Sequence, residues 1–321
     1  MPRPALEVVH VGSASRDIAP DDRRGWRLGG GVMYASLTTA RLGLRTAALI
    51  GVDRQAASAS ELEMLRDAGV EIRLAELAEG PVFENIERPD GRVQICHARG
   101  VRLPSVAIPA RWLAAQAWSV VPVADELPLA LEEWIPVEAL VTLGWQGLLR
   151  TLRPGQRVRR RAPRAESLVV RADLVGLSRD DVPEHVTVRD LSACLGDGAR
   201  LCISDGRHGG RLVRVASGAP VEVRRYAAIP SSAETDATGA GDTFLATLLA
   251  TAVPHRSPAV PHRSPGVVAP RLPVAWPTQG DLALATAAGS LAVEGVGLSG
   301  VPERAAVLAR LATVSDDIGG A

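Results

Sequence analysis

Asp236-Ala237-Thr238-Gly239-Ala240-Gly241-Asp242-Thr243-Phe244 begins polar, passes two glycines and runs into an apolar helix pattern that continues to Ala252. Glycines at a helix start leave backbone N–H groups uncovered, and the aligned peptide dipoles add partial positive charge there. The stretch therefore predicts an anion cradle made of backbone alone. All 36 basic residues of this chain are Arg and none is Lys. Phosphate loops built on Lys, Schiff-base chemistry and a Lys general base are thereby excluded. Asp242 lies in the first turn of the helix. A carboxylate there can be a simple cap. Beside a glycine pair, which a cap does not require, it can also take the proton from a hydroxyl attacking a phosphoryl group held by the amides.

Composition narrows the classes around that stretch. The chain has 321 residues, with 36 basic against 36 acidic side chains. A formal charge of zero argues against nucleic acid or an anionic membrane surface as the main partner. No apolar run approaches the ~20 residues of a membrane span, and Met1 to Glu7 lacks the apolar stretch of a signal peptide. A soluble, cytoplasmic protein is expected. Cys96, Cys194 and Cys202 match no metal-ligand spacing and read as small buried hydrophobes.

Upstream, apolar strand runs alternate with helix patterns: Leu6 to Val11, then Val32 to Leu42, Arg45 to Gly51, a helix from Ser60 to Gly69, and a strand from Val70. Val120-Val121, Ala139 to Leu143, Ala172 to Val175 and Ala199 to Ile203 continue the series as central strands. This rhythm predicts a parallel sheet covered on both faces. Two segments interrupt it, at about residues 14–28 and 81–100. The second reads as two strands around a turn at Pro89-Asp90-Gly91, and together they predict a small β-lid beside the main sheet. Arg157, Arg159, Arg160, Arg161 and Arg164 read as a solvated hairpin. A seven-residue unit repeats at Pro254–Val260 and Pro261–Val267, inside a Pro-rich loop at about 253–278. All of this is expected to form one domain over residues 1–321.

The 236–244 stretch resembles the C-terminal motif of the ribokinase/PfkB family of sugar and nucleoside kinases. Four more stretches are similar to family motifs and fall in family order. They are Gly12 to Asp17, the run Leu28-Gly29-Gly30-Gly31 with its helix, Ser204-Asp205-Gly206-Arg207-His208-Gly209, and Ala285-Thr286-Ala287-Ala288. The resemblance implies a three-layer α/β/α core with a β-lid that closes over substrate. It implies ATP-dependent phosphorylation of a hydroxyl, with Asp242 as general base and Gly239, Ala240 and Gly241 forming the anion hole. Asp17 and Gly29, Gly30 and Gly31 would bind substrate. Ser204, Gly206, Gly209, Thr238 and Thr286 would bind ATP, whose phosphates Mg²⁺ bridges. Asp181 would hold that Mg²⁺ through water, and Asp236 with the loop near Gly297 to Val301 is similar to a K⁺ site of some members.

Departures from the family pattern bear on the substrate. Tyr34 stands where the family has a sugar-contacting Asn, which counts against ribose. Ser178-Arg179-Asp180-Asp181 stands where the family has Asn-x-x-Glu. Gly29 to Met33 and Phe83-Glu84-Asn85 are reminiscent of a branch that includes myo-inositol kinases, which favours a cyclitol over other sugars and nucleosides. Family lids often pair across a dimer, and Val82, Ile86 and Val93 would supply such an interface. Two rival readings remain: a non-catalytic binding protein on the same fold, and a dinucleotide oxidoreductase. The latter lacks the Gly-x-Gly-x-x-Gly expected after a first strand, since Gly12 to Asp17 does not provide it.

Overall fold

The structure, a computed structural model, describes residues 5–86, 92–253, 272–273 and 275–319. The 254–267 repeat and the expected turn at 89–91 lie outside the described residues. In chain order the first strands are β1 (Val8–Ser13), β2 (Ser15–Ile18), β3 (Trp26–Gly29), β4 (Thr46–Val52), β5 (Glu71–Glu76), β6 (Val82–Ile86) and β7 (Val93–Ala98). They are followed by β8 (Ala117–Val120), β9 (Leu140–Gly144) and the two-residue strands β10 (Arg150–Thr151), β11 (Gln156–Arg157) and β12 (Arg159–Arg160). The last are β13 (Leu174–Ser178), β14 (Arg200–Ser204), β15 (Gly210–Ala216) and β16 (Ala219–Tyr226). The helices are α1 (Gly31–Arg41), α2 (Glu61–Asp67), α3 (Ser167–Arg171), α4 (Val188–Ser192), α5 (Ala240–Ala252), α6 (Gln279–Ala292) and α7 (Arg304–Gly319).

The main sheet has nine strands in the order β16-β15-β14-β13-β9-β8-β1-β4-β5. Strands β5 to β14 of that series pair in parallel, and β15 and β16 extend one side as an antiparallel hairpin. Its central strands β1 and β4 are buried along their whole length, which is why they read as continuous apolar runs. One face packs Val9, Val11, Trp118, Val141 and Val175 under α3, α4 and short 3₁₀ turns. The other face packs Ala48, Ile50, Leu140 and Leu174 against α1, α2, α5 and α6. These are the three expected layers. The β15–β16 hairpin is an addition that the sequence reading does not contain.

A second sheet of five strands has the order β11-β7-β6-β2-β3. It is the expected β-lid with one strand more: Gln156 and Arg157 pair with Cys96 and Ile95 of β7. Part of the arginine cluster thus edges the lid, with Arg157, Arg159 and Arg160 exposed to solvent. Val82 and Val93 are buried within the chain itself, and Ile86 is half-buried. All three cysteines are buried and unpaired. Among the described residues no helix is long and apolar enough to cross a membrane.

Strand order reverses between β1 and β8: β4 and β5 lie to one side of that junction and β9, β13 and β14 to the other. Such a reversal leaves a crevice beyond the carboxyl ends of the two strands, because their connections depart in opposite directions. Buried Glu126 holds this junction. Its carboxylate accepts hydrogen bonds from Ser13 N (3.0 Å), Val123 N (3.1 Å) and Ala124 N (2.7 Å). Glu126→Ala would leave these three amides without an acceptor. A loss of about 3 kcal/mol or more is expected in urea unfolding, with a smaller loss for Glu126→Gln, which keeps one acceptor oxygen.

Candidate active site

Asp17, Asp181 and Ser204 follow or end parallel strands β1, β13 and β14 at their carboxyl ends. Gly12, near the end of β1, lies so close to the chain after β8 that a Cβ on it would be 2.7 Å from Val121 O. From β1 the chain passes through Ala14 alone into lid strand β2, which carries Asp17. Ser15 Oγ donates to Asp17 Oδ1 at 3.1 Å, and Gly29 opposite leaves room for the carboxylate, since a Cβ there would sit 2.6 Å from Asp17 Oδ2. Gly30 then starts α1 with φ +97°, a conformation open to glycine.

The other side of the crevice is the start of α5. Gly239 takes φ +79°, and the helix begins at Ala240. Gly31 of α1 faces Asp242 of α5, with a Cβ at position 31 falling 2.9 Å from Asp242 Oδ1. Gly241 has open space around it. Buried Tyr34 fills the gap between the two sides. A Cβ on Gly239 would lie 2.1 Å from the Tyr34 ring, and one on Gly29 would lie 3.6 Å from it. Tyr34 therefore spans the cleft from the lid side to the cradle, where the family pattern has a shorter side chain.

Charge is concentrated in this space. Burial pushes the Asp17 carboxyl up to about 7, with nearby Asp236 adding to the rise and the Ser15 hydrogen bond opposing it. Burial likewise pushes Asp242 up to about 7, helped by Asp181 and opposed by Arg150. Asp181 follows β13. It accepts from Ser178 N at 2.7 Å and from Gln146 Nε2 at 2.7 Å, and burial raises it against the pull of Arg150. Burial, with Asp17, Asp236 and Asp242, keeps the Tyr34 hydroxyl protonated.

A divalent cation fits this set. The like charge of Asp181 bears on Asp242, and a metal carrying its own waters would relieve that repulsion without a cage of protein ligands. A monovalent cation fits Asp236 poorly. That carboxylate accepts from Thr238 N at 2.9 Å and Gly297 N at 3.1 Å, and the Arg92 guanidinium is 3.8 Å away.

Of the residues expected to bind nucleotide, Thr238 joins the acidic group through Asp236, and Ser204, Gly206, Gly209 and Thr286 stand on other elements. Ser204 ends β14 in register with Ser178 of β13, and its hydroxyl donates to Leu177 O at 3.4 Å. Gly206 and Gly209 shape the turn that follows; a Cβ on Gly209 would fall 2.0 Å from Tyr226 O. Thr286 is buried in α6, and its hydroxyl donates to Leu282 O within the helix at 3.0 Å. Thr238, one residue before Gly239, accepts a 3.2 Å hydrogen bond from Arg92 Nη1.

Four contributors escape the sequence reading: Arg92, Gln146, Arg150 and Glu126. Two of them are single arginines in a chain with 36, and no spacing marks them. Gln146 and Glu126 become visible only once β9 and the loop after β8 are placed.

No protein-family model matches this sequence, and no curated protein matches it closely enough to count as a relative. Solved structures do match. A pyrophosphate-dependent kinase of the ribokinase family, complexed with a pyrophosphate analog and myo-inositol, superposes with TM-score 0.66 at 18% identity, covering 94% of this chain and 99% of that one. Arabidopsis thaliana ribokinase with ribose and ATP gives 0.63 at 17% identity, over 96% and 99%. A nucleoside kinase from Methanocaldococcus jannaschii gives 0.61 at 13%, over 96% and 99%. The chain has the ribokinase fold, as its motifs imply.

Because the folded values of Asp17 and Asp242 lie above the ordinary 3.8, the folded chain keeps these protons to higher pH than the unfolded chain does. The contribution of these two carboxyls to stability therefore falls as pH rises from about 4 to about 7 and levels off above that, while buried His10, held down to about 3, contributes in the opposite direction below its ordinary 6.5. Asp242→Asn should flatten part of this fall and unfold at a higher temperature than the wild type at pH 8. Equal melting temperatures at pH 8 would show that Asp242 carries no raised carboxyl.

Proposed function

We propose that this protein is a kinase that moves a phosphoryl group from ATP to a hydroxyl of a small ring polyol, a cyclitol before other sugars or nucleosides. One observation carries the reading: Asp242, raised to about 7, stands at the glycine-lined start of α5 and faces the crevice that lid Asp17 enters from the opposite side. In this reading Asp17 accepts hydrogen bonds from acceptor hydroxyls. Asp242 takes the proton from the attacking hydroxyl, and a base near pH 7 suits that role. The N–H groups of Ala240, Gly241 and Asp242 hold the charge that develops on the phosphoryl oxygens. Asp181 would hold Mg²⁺ through water, and the ion would supply neutralisation of donor phosphate charge. Tyr34 narrows the acceptor side, which supports a compact ring.

A second donor, inorganic pyrophosphate, is favoured by a specific observation. Arg92 and Arg150 bring positive charge to the acidic group of the cleft, where it can meet the charge of an inorganic donor, while the Thr286 hydroxyl is already bonded inside α6. The fold neighbour with a pyrophosphate analog and myo-inositol agrees with that donor. Of the three residues considered for a homodimer through the lid, Val82 and Val93 are buried within one chain and Ile86 is half-buried.

The test is product formation with Mg-ATP and with Mg-pyrophosphate over myo-inositol, other cyclitols, hexoses, pentoses and nucleosides. Asp242→Asn should lower the rate by about 10² to 10⁴. A rate that survives the substitution would remove Asp242 from the role of base. Silence across the panel despite donor binding would point to the binding-protein reading.

A further inference from the structure

Among the described residues, Arg92 and Arg150 are the cations that bear most on the acidic group of the crevice. Arg92 bears on Asp17 and Tyr34, and Arg150 on Asp17, Asp181 and Asp242. They come from different elements. Arg92 precedes β7, and its guanidinium reaches Thr238 Oγ1 at 3.2 Å and Asp236 at 3.8 Å, immediately before the cradle. Arg150 opens β10 at the end of the 3₁₀ turn that also carries Gln146. Its guanidinium carbon lies 5.8 Å from the centroid of the Phe83 ring, and Nη1 donates to Val123 O at 3.3 Å.

That single long hydrogen bond is a small use of a side chain with five N–H donors, at a place where burial already disfavours its charge. Packing alone does not account for it. A phosphate chain entering here would also meet Asp17, Asp181, Asp236 and Asp242, which repel it. The start of α5 offers only about half a positive charge. No Lys exists to supply the rest. Guanidinium groups match phosphate with paired N–H···O bonds.

We propose that Arg92 and Arg150 grip the phosphate chain of the donor from two elements, Arg92 from the tip of the lid and Arg150 from the start of β10 between Phe83 and the chain after β8. The identity of the ligand rests on the kinase reading above. Arg150, between Asp181 and Asp242, meets the phosphoryl group being transferred. Arg92 meets the chain beside Thr238. It also supplies at Asp236 the positive charge that the resemblance to K⁺-binding kinases would assign to a cation.

The experiment is calorimetric binding of inorganic pyrophosphate and of ADP, each with Mg²⁺, to the full chain and to Arg92→Gln, Arg150→Gln and Arg150→Lys. Arg157→Gln, on the exposed lid edge, serves as control. Each Gln variant should weaken the binding of at least one probe about tenfold to hundredfold. Arg150→Lys should fall between wild type and Arg150→Gln, Arg157→Gln should match the wild type, and myo-inositol affinity should stay within about twofold. With turnover, Arg92→Gln should raise the donor KM and Arg150→Gln should chiefly lower kcat. Donor affinity unchanged in both Gln variants, or a loss confined to myo-inositol, would overturn the grip, as would a wild type that binds neither probe. Arginine-dependent probe binding without transfer to any acceptor would leave the grip standing and remove the kinase reading. Should Arg150→Gln fail to fold, Arg92→Gln and Arg150→Lys carry the test.

Discussion

A parallel sheet whose strand order reverses must part its connections at the reversal, and here that happens between β1 and β8. The gap is held at a fixed width by Glu126, one buried carboxylate bonded to amides from both sides. Everything chemical in the molecule is arranged around that gap. The strand after β1 carries Asp17 into the lid, and α1 and α5 both direct their amino ends toward it. The close approach of Gly12 to Val121 O and of Gly31 to Asp242 shows how little material separates the two sides.

The same crowding sets the electrostatics. Carboxylates brought together in a partly dry crevice cannot all ionise at neutral pH without compensation. Two of them, Asp17 and Asp242, rise to about 7, and two arginines from different elements offset the remainder. A site of this kind is poised to accept a multiply charged ligand only together with its counter-charges. Protonated acids, guanidinium groups and backbone dipoles can supply these without Lys.

Much of the fold is legible in the residues, for identifiable reasons. Strands buried on both faces, such as β1 and β4, leave continuous apolar runs, and the helix between them stops where Gly43 follows. The β15–β16 hairpin goes unread although its cue is present: Ser217-Gly218, both at positive φ, joins two runs of alternating residues. Strand β11 is two residues long and carries no periodicity. Within the crevice, Asp242 is legible because it adjoins a glycine pair, whereas Asp17 and Tyr34 are reached only through the resemblance to the kinase motifs, and their closeness to Gly29 and Gly239 appears with the fold. Arg150 is not legible, because its meaning comes from Phe83, Val123, Asp181 and Asp242, which only the folded chain assembles.

The lid joins the body at one end. Ala14 alone links β1 to β2, Arg16 N bonds Pro81 O, and Gly100 packs on Pro81. Along the β6–β7 ladder, Val82 pairs with Ala98 near this base, while Ile86 pairs with Val93 at the far tip, next to Arg92. The small sheet is therefore a lever with a short arm and a long one. Any rotation about the base sweeps Arg92 through a wide arc and leaves Asp17, beside the pivot, almost where it was. In the structure that far tip is itself tied down, with Arg92 bonded to Thr238 Oγ1 at 3.2 Å and Val158 N bonded to Gln94 O, so the long arm ends on the cradle it reaches.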